Sequence, residues 1–462
     1  MSAPSVCIVG AGPGGLAMAR LLSARGYTVT VLEQLDRPGG MCHSVEFGDK
    51  WFDIGANYVT KDYREVRALA KEFGLTFVSD KAFQNQTSLD TITGETQSVQ
   101  KTIQAGHGMF AFLTASVRYF LAQWKYRQLV AAPGYVGVAA HTELMTEFGP
   151  WLRANRMAPL QKLFMIPITA MGFGTLDDIP APHALRYINA RRFLSMLMTG
   201  LKIPQRWPKR FTNGFGSAWC TVAEKFGVEY ETEPTRVVRS ADAVAVHTKH
   251  RGVDQPPRVF DHLVLSCPPS AAMSFLDATE TEQQLFGGDT IQFNRYSVTT
   301  ARVTDFPWWV VNTMRAVPGD GGEFPPPNGS PYIFGKQWKD SELNLYYAPL
   351  APMLGDPERE LQIVAVSEMS LPVGSPSVFH EFVHYANWPQ YFPRVSVEHM
   401  AGFHGAIGWY DQVEALQGQN RTYWCHGTLS FELVELVMRY ARHLTERHFT
   451  AHADSDEHTG SP

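Results

Sequence analysis

The stretch Val6-Cys7-Ile8-Val9-Gly10-Ala11-Gly12-Pro13-Gly14-Gly15-Leu16-Ala17 constrains this chain more than any other. A short β-branched strand runs into a glycine turn and then a helix, the order that a dinucleotide-binding βαβ unit needs. Gly10 permits the tight turn. Gly12 and Gly14 let backbone N–H groups approach a pyrophosphate, and Gly15 lets the helix lie close on the strand. A helix N-terminus at this point carries partial positive charge toward phosphate.

The context agrees with that reading. A helix over 16–25 is followed by Gly26-Tyr27 and a second strand over 28–32, which ends in Glu33. An acidic residue about twenty positions beyond the glycines is placed to accept hydrogen bonds from ribose hydroxyls. Arg37-Pro38-Gly39-Gly40 follows, a cation and two glycines that can face the same pyrophosphate. These residues predict a dinucleotide and leave NAD and FAD both open.

Composition narrows the partners. The 462 residues are 44% hydrophobic and only 18% charged, with a net charge of −5. That balance favours a large core or an apolar pocket and excludes a nucleic-acid surface, which needs clustered Lys and Arg. Five scattered cysteines (Cys7, Cys42, Cys220, Cys267, Cys425) contain no C-x-x-C pair. They predict neither a disulfide framework nor a zinc site and suit a reducing cytoplasm. The first strand begins at residue 5, which leaves no room for a signal peptide. No run of roughly eighteen uncharged apolar residues predicts a membrane span.

After Gly40 come Met41-Cys42-His43-Ser44 and Trp51-Phe52-Asp53-Ile54-Gly55-Ala56-Asn57. R-x-G-G followed by a β excursion ending in D-x-G resembles the flavin-containing amine oxidoreductase superfamily of monoamine oxidases, phytoene desaturases and protoporphyrinogen oxidases. The resemblance implies FAD, bound extended, with Met41, Gly55, Ala56 and Asn57 near the flavin. It also implies an α/β architecture: a Rossmann-type FAD-binding domain interleaved with an α+β substrate cap. On this reading 1–80, 205–275 and 400–449 form the FAD domain, 81–204 and 276–399 the cap, and 450–462 a flexible tail.

Further segments extend the likeness. The stretch 109–129 is a long, mostly apolar helical run carrying Arg118, Lys125 and Arg127. An apolar stripe of this kind is read first as core, with a membrane interface as the lesser alternative. More helix is expected over 142–162. Phe173 lies between two glycines in a segment suited to a substrate wall. Asn213-Gly214-Phe215-Gly216 leads into a helix over 217–226, followed by strands over 228–230, 235–239 and 243–247. Asp261 to Pro268 reads as a strand stopped by proline. The adenine-holding position of the superfamily falls on Pro234, which has no N–H, so Thr235 is the expected substitute. Between 276 and 400, strands are expected over 296–303 and 361–366, and an exposed loop over 318–331.

From Asn387 onward the likeness tightens. Trp388, Tyr391 and Phe392 lie where the superfamily brings an aromatic strand toward the flavin. Gly427 and Thr428 occupy the turn beside it, ahead of a helix expected over 431–449 with Ser430 as N-cap and Glu432 in its first turn. That helix would aim partial positive charge at the flavin pyrimidine ring. Gly39 to Ser44, Thr169 to Gly174, Trp409 to Gly418 and Leu429 to Glu432 are similar to polyunsaturated fatty acid isomerases and related FAD oxidoreductases of secondary metabolism.

Two positions depart from the pattern. His426 stands where a carboxylate is usual, and an imidazole there can donate a hydrogen bond or a proton, which makes it the tentative catalytic residue. Between Lys81 and Lys101 there is no basic residue to hold a free carboxylate, so a fatty acid is not the expected substrate. Neither Cys42 nor His43 has a signature for covalent flavin. Glu398, His399 and His404 have the wrong spacing for one helical face, and no metal is expected.

The resulting expectation is an FAD-dependent oxidoreductase taking hydride from a carbon of a small, largely apolar molecule. A redox-neutral double-bond isomerase and a non-catalytic FAD-stabilised binding protein are the alternatives. The oligomeric state is not legible.

Overall fold

Strand β1 (Ser5–Val9) is buried almost completely and pairs in parallel on both sides. In this computed structural model the described residues are 3–79, 86–90, 96–98, 107–201, 203, 208–303, 310–314, 333–335, 343–348, 379–402 and 407–452. After β1 come α1 (Pro13–Ser23), β2 (Thr28–Leu32), α2 (Arg64–Glu72), α3 (Met109–Lys125) and α4 (Ala190–Gly200). Then follow β3 (Val228–Glu229), β4 (Thr232–Arg239), β5 (His262–Leu265), β6 (Ile291–Val303), β7 (Phe379–Val395), β8 (Thr422–Trp424) and α5 (Val434–His448). The parallel sheet has the order β8-β5-β1-β2-β3. Its strands come from widely separated parts of the chain, as an interleaved Rossmann-type unit requires. Parallel neighbours need crossovers, and α1 provides the first, between β1 and β2.

Helix α1 starts earlier than the sequence pattern suggests. Gly12 is its N-cap and Pro13 occupies the first turn, where the missing N–H costs nothing and the fixed φ is already helical. It ends before Gly26, whose φ is +81°.

The second sheet has seven strands and is antiparallel except where Val310–Met314 pairs with Gln86–Asp90. Its longest ladder joins β6 to β7. The strand expected from 296 therefore begins at Ile291, since pairing with β7 extends it. The region 142–162, expected as helix, is broken into 3-10 turns and the short helix Phe148–Ala154. The strand expected at 361–366, the loop at 318–331, most of the segment 81–101 and the tail from 453 lie outside the described residues.

The C-terminal helix is the main correction to local sequence reasoning. It begins at Val434 with Leu433 as N-cap, not at residue 431 with Ser430 as cap. Phe431 adopts φ +94°, which interrupts the backbone, and a separate single turn occupies Gly427–Ser430. The interruption seats the Phe431 ring among Phe173, Phe392 and Tyr187. Tertiary packing here overrides helix periodicity.

The first turn of α5 also caps another helix. Tyr63, the N-cap of α2, offers no side-chain acceptor, and the Glu435 carboxylate accepts instead from the N–H groups of Glu65 (2.9 Å) and Val66 (3.2 Å). Burial outweighs these bonds and pushes the Glu435 carboxyl up from 4.5 to about 7. The folded state thus holds a proton that the unfolded chain releases between those values. Stability from the neutral acid is full below about 4.5 and is lost as pH rises through about 7. Glu435→Gln should abolish this dependence. Urea unfolding at pH 5 and pH 8 should show wild type losing, relative to the variant, on the order of 2–3 kcal/mol across the interval. A constant difference would mean that Glu435 does not titrate there.

Candidate cofactor and substrate site

The glycine loop opens onto a cavity of about 550 Å³ that runs from the end of β2 to the aromatic residues of β7. Two glycines of the loop show what each is for. A Cβ on Gly15 would lie 1.9 Å from the Gly10 carbonyl oxygen, so α1 can rest on β1 only with hydrogen there. A Cβ on Gly12 would meet no protein atom within 4 Å. Gly12 is therefore not demanded by protein packing, and it borders the cavity with Gly10 and Gly14. An open cradle at a helix N-terminus fits a pyrophosphate.

Glu33 is buried at the same end. Its carboxylate accepts from the Ala11 N–H (2.8 Å) and the Leu35 N–H (2.9 Å), bracing the loop as well as lining the cavity. Burial pushes its carboxyl up, opposed by these bonds and by Arg37. The Gly39 N–H donates to the Ala11 carbonyl at 2.8 Å, and Arg37 donates to the Gly40 carbonyl at 2.9 Å while its guanidinium sits 5.9 Å from the Trp388 ring. Gly15 and Gly39 thus support the loop and Arg37 the turn after it, all from outside the lining, whereas Gly40 and Met41 line the cavity.

Midway, Gly55 passes against Met41 so closely that a Cβ would lie 1.7 Å from the Met41 oxygen. Gly55, Ala56 and Asn57 face the cavity there. The far end is aromatic. Trp388 donates from its indole N–H to the Ile54 carbonyl (3.0 Å), and the Tyr391 hydroxyl donates to the Met171 carbonyl (2.7 Å). Tyr391 stacks on Tyr296 at 4.7 Å and on Phe173 at 6.0 Å. Phe173 and Tyr391 therefore belong to one ring stack and do not face each other across the pocket. Phe173 lines the cavity although it is only 1% exposed, whereas the fully buried Phe392 packs behind the lining beside Arg394 and Phe431.

Other expectations shift. Thr235 sits at an irregularity in the β4 ladder, between Pro234 and Arg236, and its hydroxyl points to the His247 carbonyl. Thr232, Glu233 and Pro234 line the cavity in its place. Thr428 lies buried behind Gly427, which does line it. His404 is outside the described residues, and His399 bonds Ser396 at the start of a short helix.

The electrostatics of the far end are those of a neutral site. His426 accepts at Nδ1 from the Thr428 backbone N–H (3.3 Å) and lies 2.9 Å from its hydroxyl. That leaves the proton on Nε2. Burial lowers the imidazole to about 4, so His426 is a neutral hydrogen-bond donor near pH 7 and not a proton donor. Glu432 accepts from the Phe392 N–H, and burial pushes its carboxyl well above the ordinary range. The sequence pattern missed Glu432 as a cavity group because the predicted helix carried it into a first turn. Tyr58 and Tyr63 also line the pocket without any motif to mark them.

Comparison with known proteins agrees with this geometry. The family model described as flavin containing amine oxidoreductase matches residues 13–288. AofH of Mycobacterium tuberculosis, which bears the name of a flavin-containing monoamine oxidase, is 28% identical over 199 residues, 42% of each chain. A neurosporene-forming phytoene desaturase of Rhodobacter capsulatus is 47% identical over 73 residues, 16% of this chain and 14% of that one. The matched regions thus span less than half the length of these curated relatives. A solved structure of the CLA-producing fatty acid isomerase from P. acnes superposes with TM-score 0.79 at 22% identity, covering 97% of this chain and 100% of that chain. That last likeness concerns the fold.

The two loop glycines give separable outcomes. Gly12→Val should fold with the melting temperature of flavin-free wild type and lose flavin, because its side chain enters only the cradle. Gly15→Ala should fail to fold stably, because its methyl has no space against β1. Flavin absorbance of the purified variants, read beside circular dichroism, checks both. Wild-type flavin content in Gly12→Val would remove the loop from the site.

Proposed function

Because this chain belongs to the flavin-containing amine oxidoreductase family, whose members are FAD-dependent enzymes, we propose that it oxidises a C–H bond of a small, largely apolar metabolite at the aromatic end of the cavity. FAD, when bound, supplies the hydride acceptor, its N5. The loop N–H groups at Gly12 and Gly14 and the carboxylate of Glu33 would hold the nucleotide half. Met41, Gly55, Ala56 and Asn57 would flank the ring system.

The observation that carries the substrate class is the absence of fixed charge where the substrate would lie. Among the described residues lining that end, no lysine or arginine is present, burial raises the Glu432 carboxyl and disfavours its charged form, and burial lowers the His426 imidazole to about 4. A substrate carboxylate would find no lysine or arginine there, and desolvating it unpaired costs several kcal/mol, of the order given for buried ions. Uncharged carbon skeletons pay no such cost. Trp388 and Tyr391, fixed by their hydrogen bonds to Ile54 and Met171, supply flat apolar faces that orient the reacting carbon and exclude water.

A second reading is a redox-neutral double-bond isomerisation, in which the hydride returns to another carbon of the same molecule. The fold likeness to the fatty acid isomerase favours keeping it, and the same residues serve both. Anaerobic mixing with candidate apolar metabolites separates them: lasting flavin bleaching with an oxidised product marks the oxidoreductase, and product of unchanged mass with reoxidised flavin marks the isomerase. No bleaching and no product from any uncharged metabolite would contradict the proposal.

Side-chain truncations should divide in the same assay. Tyr391→Ala, at a half-buried position, should keep FAD and slow single-turnover reduction at least about tenfold, roughly 1.4 kcal/mol of barrier. Phe173→Ala, at a lining ring that is also almost fully buried, should in addition lower stability by about 3–5 kcal/mol. An unchanged rate in a folded Tyr391→Ala protein would remove that ring from the site.

A further inference from the structure

Helix α3 is turned inside out. Its inward face carries Ser116, Tyr119 and Gln123, all buried. The Tyr119 hydroxyl donates to the Ile188 carbonyl (2.7 Å), and the Gln123 amide donates to the carbonyls of Leu185 (3.0 Å) and Ile188 (3.1 Å). Its outward face is apolar: Phe110 is 81% exposed, Leu113 55%, Val117 59%, Leu121 60% and Trp124 67%. Spacings of three and four place these five on one stripe, four turns long. Helix α4 packs beside it through Phe193 against Phe120 at 4.9 Å, and its end adds Leu194 and Leu201 to the exposed apolar surface. The sequence favoured core for this stripe. The structure turns the stripe outward and seats Ser116, Tyr119 and Gln123 on the core-facing side, together with Ala115, Phe112 and Phe120.

The charge around the stripe is one-sided. The chain as a whole has a net charge of −5, yet residues 109–142 contain no Asp or Glu and carry Arg118, Lys125 and Arg127. Lys125 pairs with Glu143. The guanidinium of Arg127 lies 4.7 Å from the Trp124 ring centroid and donates to the Trp124 carbonyl, and that of Arg118 donates to the carbonyl of Arg156. Arg191, exposed on α4, adds a further cation. None of the three arginines has a carboxylate partner among the described residues.

We propose that the α3–α4 face docks on an anionic lipid bilayer surface, with the stripe lying in the interface and the arginines against lipid phosphates. The pattern is that of an interfacial helix: aliphatic and aromatic on one side, cationic at its edges. Among the described residues, no helix is long and apolar enough to cross a membrane, so the contact is with one leaflet. Two other occupants fit less well. A second copy of the chain would set Arg118 and Arg127 against their own images, a like-charge contact that opposes association. A specific protein partner needs hydrogen-bonding side chains within the patch, and the five stripe residues offer one indole N–H.

The test uses the FAD-loaded full chain and extruded vesicles. Wild type should float with phosphatidylcholine vesicles containing phosphatidylglycerol, float poorly with pure phosphatidylcholine, and be released in part by high salt. Val117→Glu/Leu121→Glu should cut the bound fraction at least tenfold while FAD content and melting temperature stay at wild-type values, since both positions are exposed. Arg118→Ser/Arg127→Ser should weaken binding to the anionic vesicles alone. Equal flotation of the glutamate variant and wild type would overturn the proposal, as would failure of wild type to float with anionic vesicles. So would sedimentation equilibrium showing a wild-type dimer that the glutamate variant converts to monomer, which would assign the face to a second copy.

Discussion

The contact between Gly15 and the Gly10 carbonyl sets the rest of this structure in place. With no side chain between them, α1 rests directly on β1, and its N-terminus points over the end of the parallel sheet. Neighbouring elements are fitted to that arrangement with equal closeness. A Cβ on Gly14 would meet Val437 of α5 at 2.8 Å and the Ser266 hydroxyl at 2.9 Å. The C-terminal helix therefore packs on α1, and Thr445 reaches Met18 across the interface. Only at Gly12 does the loop leave space, and that space is the near end of the cavity.

From this anchor the site assembles out of distant pieces. Glu33 ties the loop to β2, and Gly39 ties it to the following turn, which Arg37 closes on itself by donating to the Gly40 carbonyl. Arg186 joins the helical block to the turn Gly427–Ser430 by donating to the carbonyls of Leu129 (2.9 Å) and Ser430 (3.1 Å), with its guanidinium 3.7 Å from the Tyr135 ring. The far wall depends on the backbone carbonyls of Ile54 and Met171, which hold Trp388 and Tyr391 through neutral hydrogen bonds.

How much of this the sequence revealed depends on how local each cause is. The glycine loop, Glu33 and the Gly39-Gly40 turn were legible because their requirements are set by a few neighbouring residues. The start of α5 was not, since the Phe431 backbone conformation answers to rings from remote segments. Thr235 was misplaced because the β4 irregularity depends on its partner strand, where Pro234 lies opposite Thr248 and Arg236 opposite His247. The stripe on α3 has the same period whether it faces core or solvent. What decides its direction is the hydrogen bonding of Tyr119 and Gln123 to 185–188, a contact that periodicity does not encode.

The central claim is that one continuous cavity holds an extended FAD between the glycine loop and an uncharged aromatic end. Chromatography of the cofactor released by heat from the purified yellow protein tests it most directly. The account predicts FAD, one per chain. Release of FMN or NAD, or a colourless protein that FAD does not reconstitute, would contradict it.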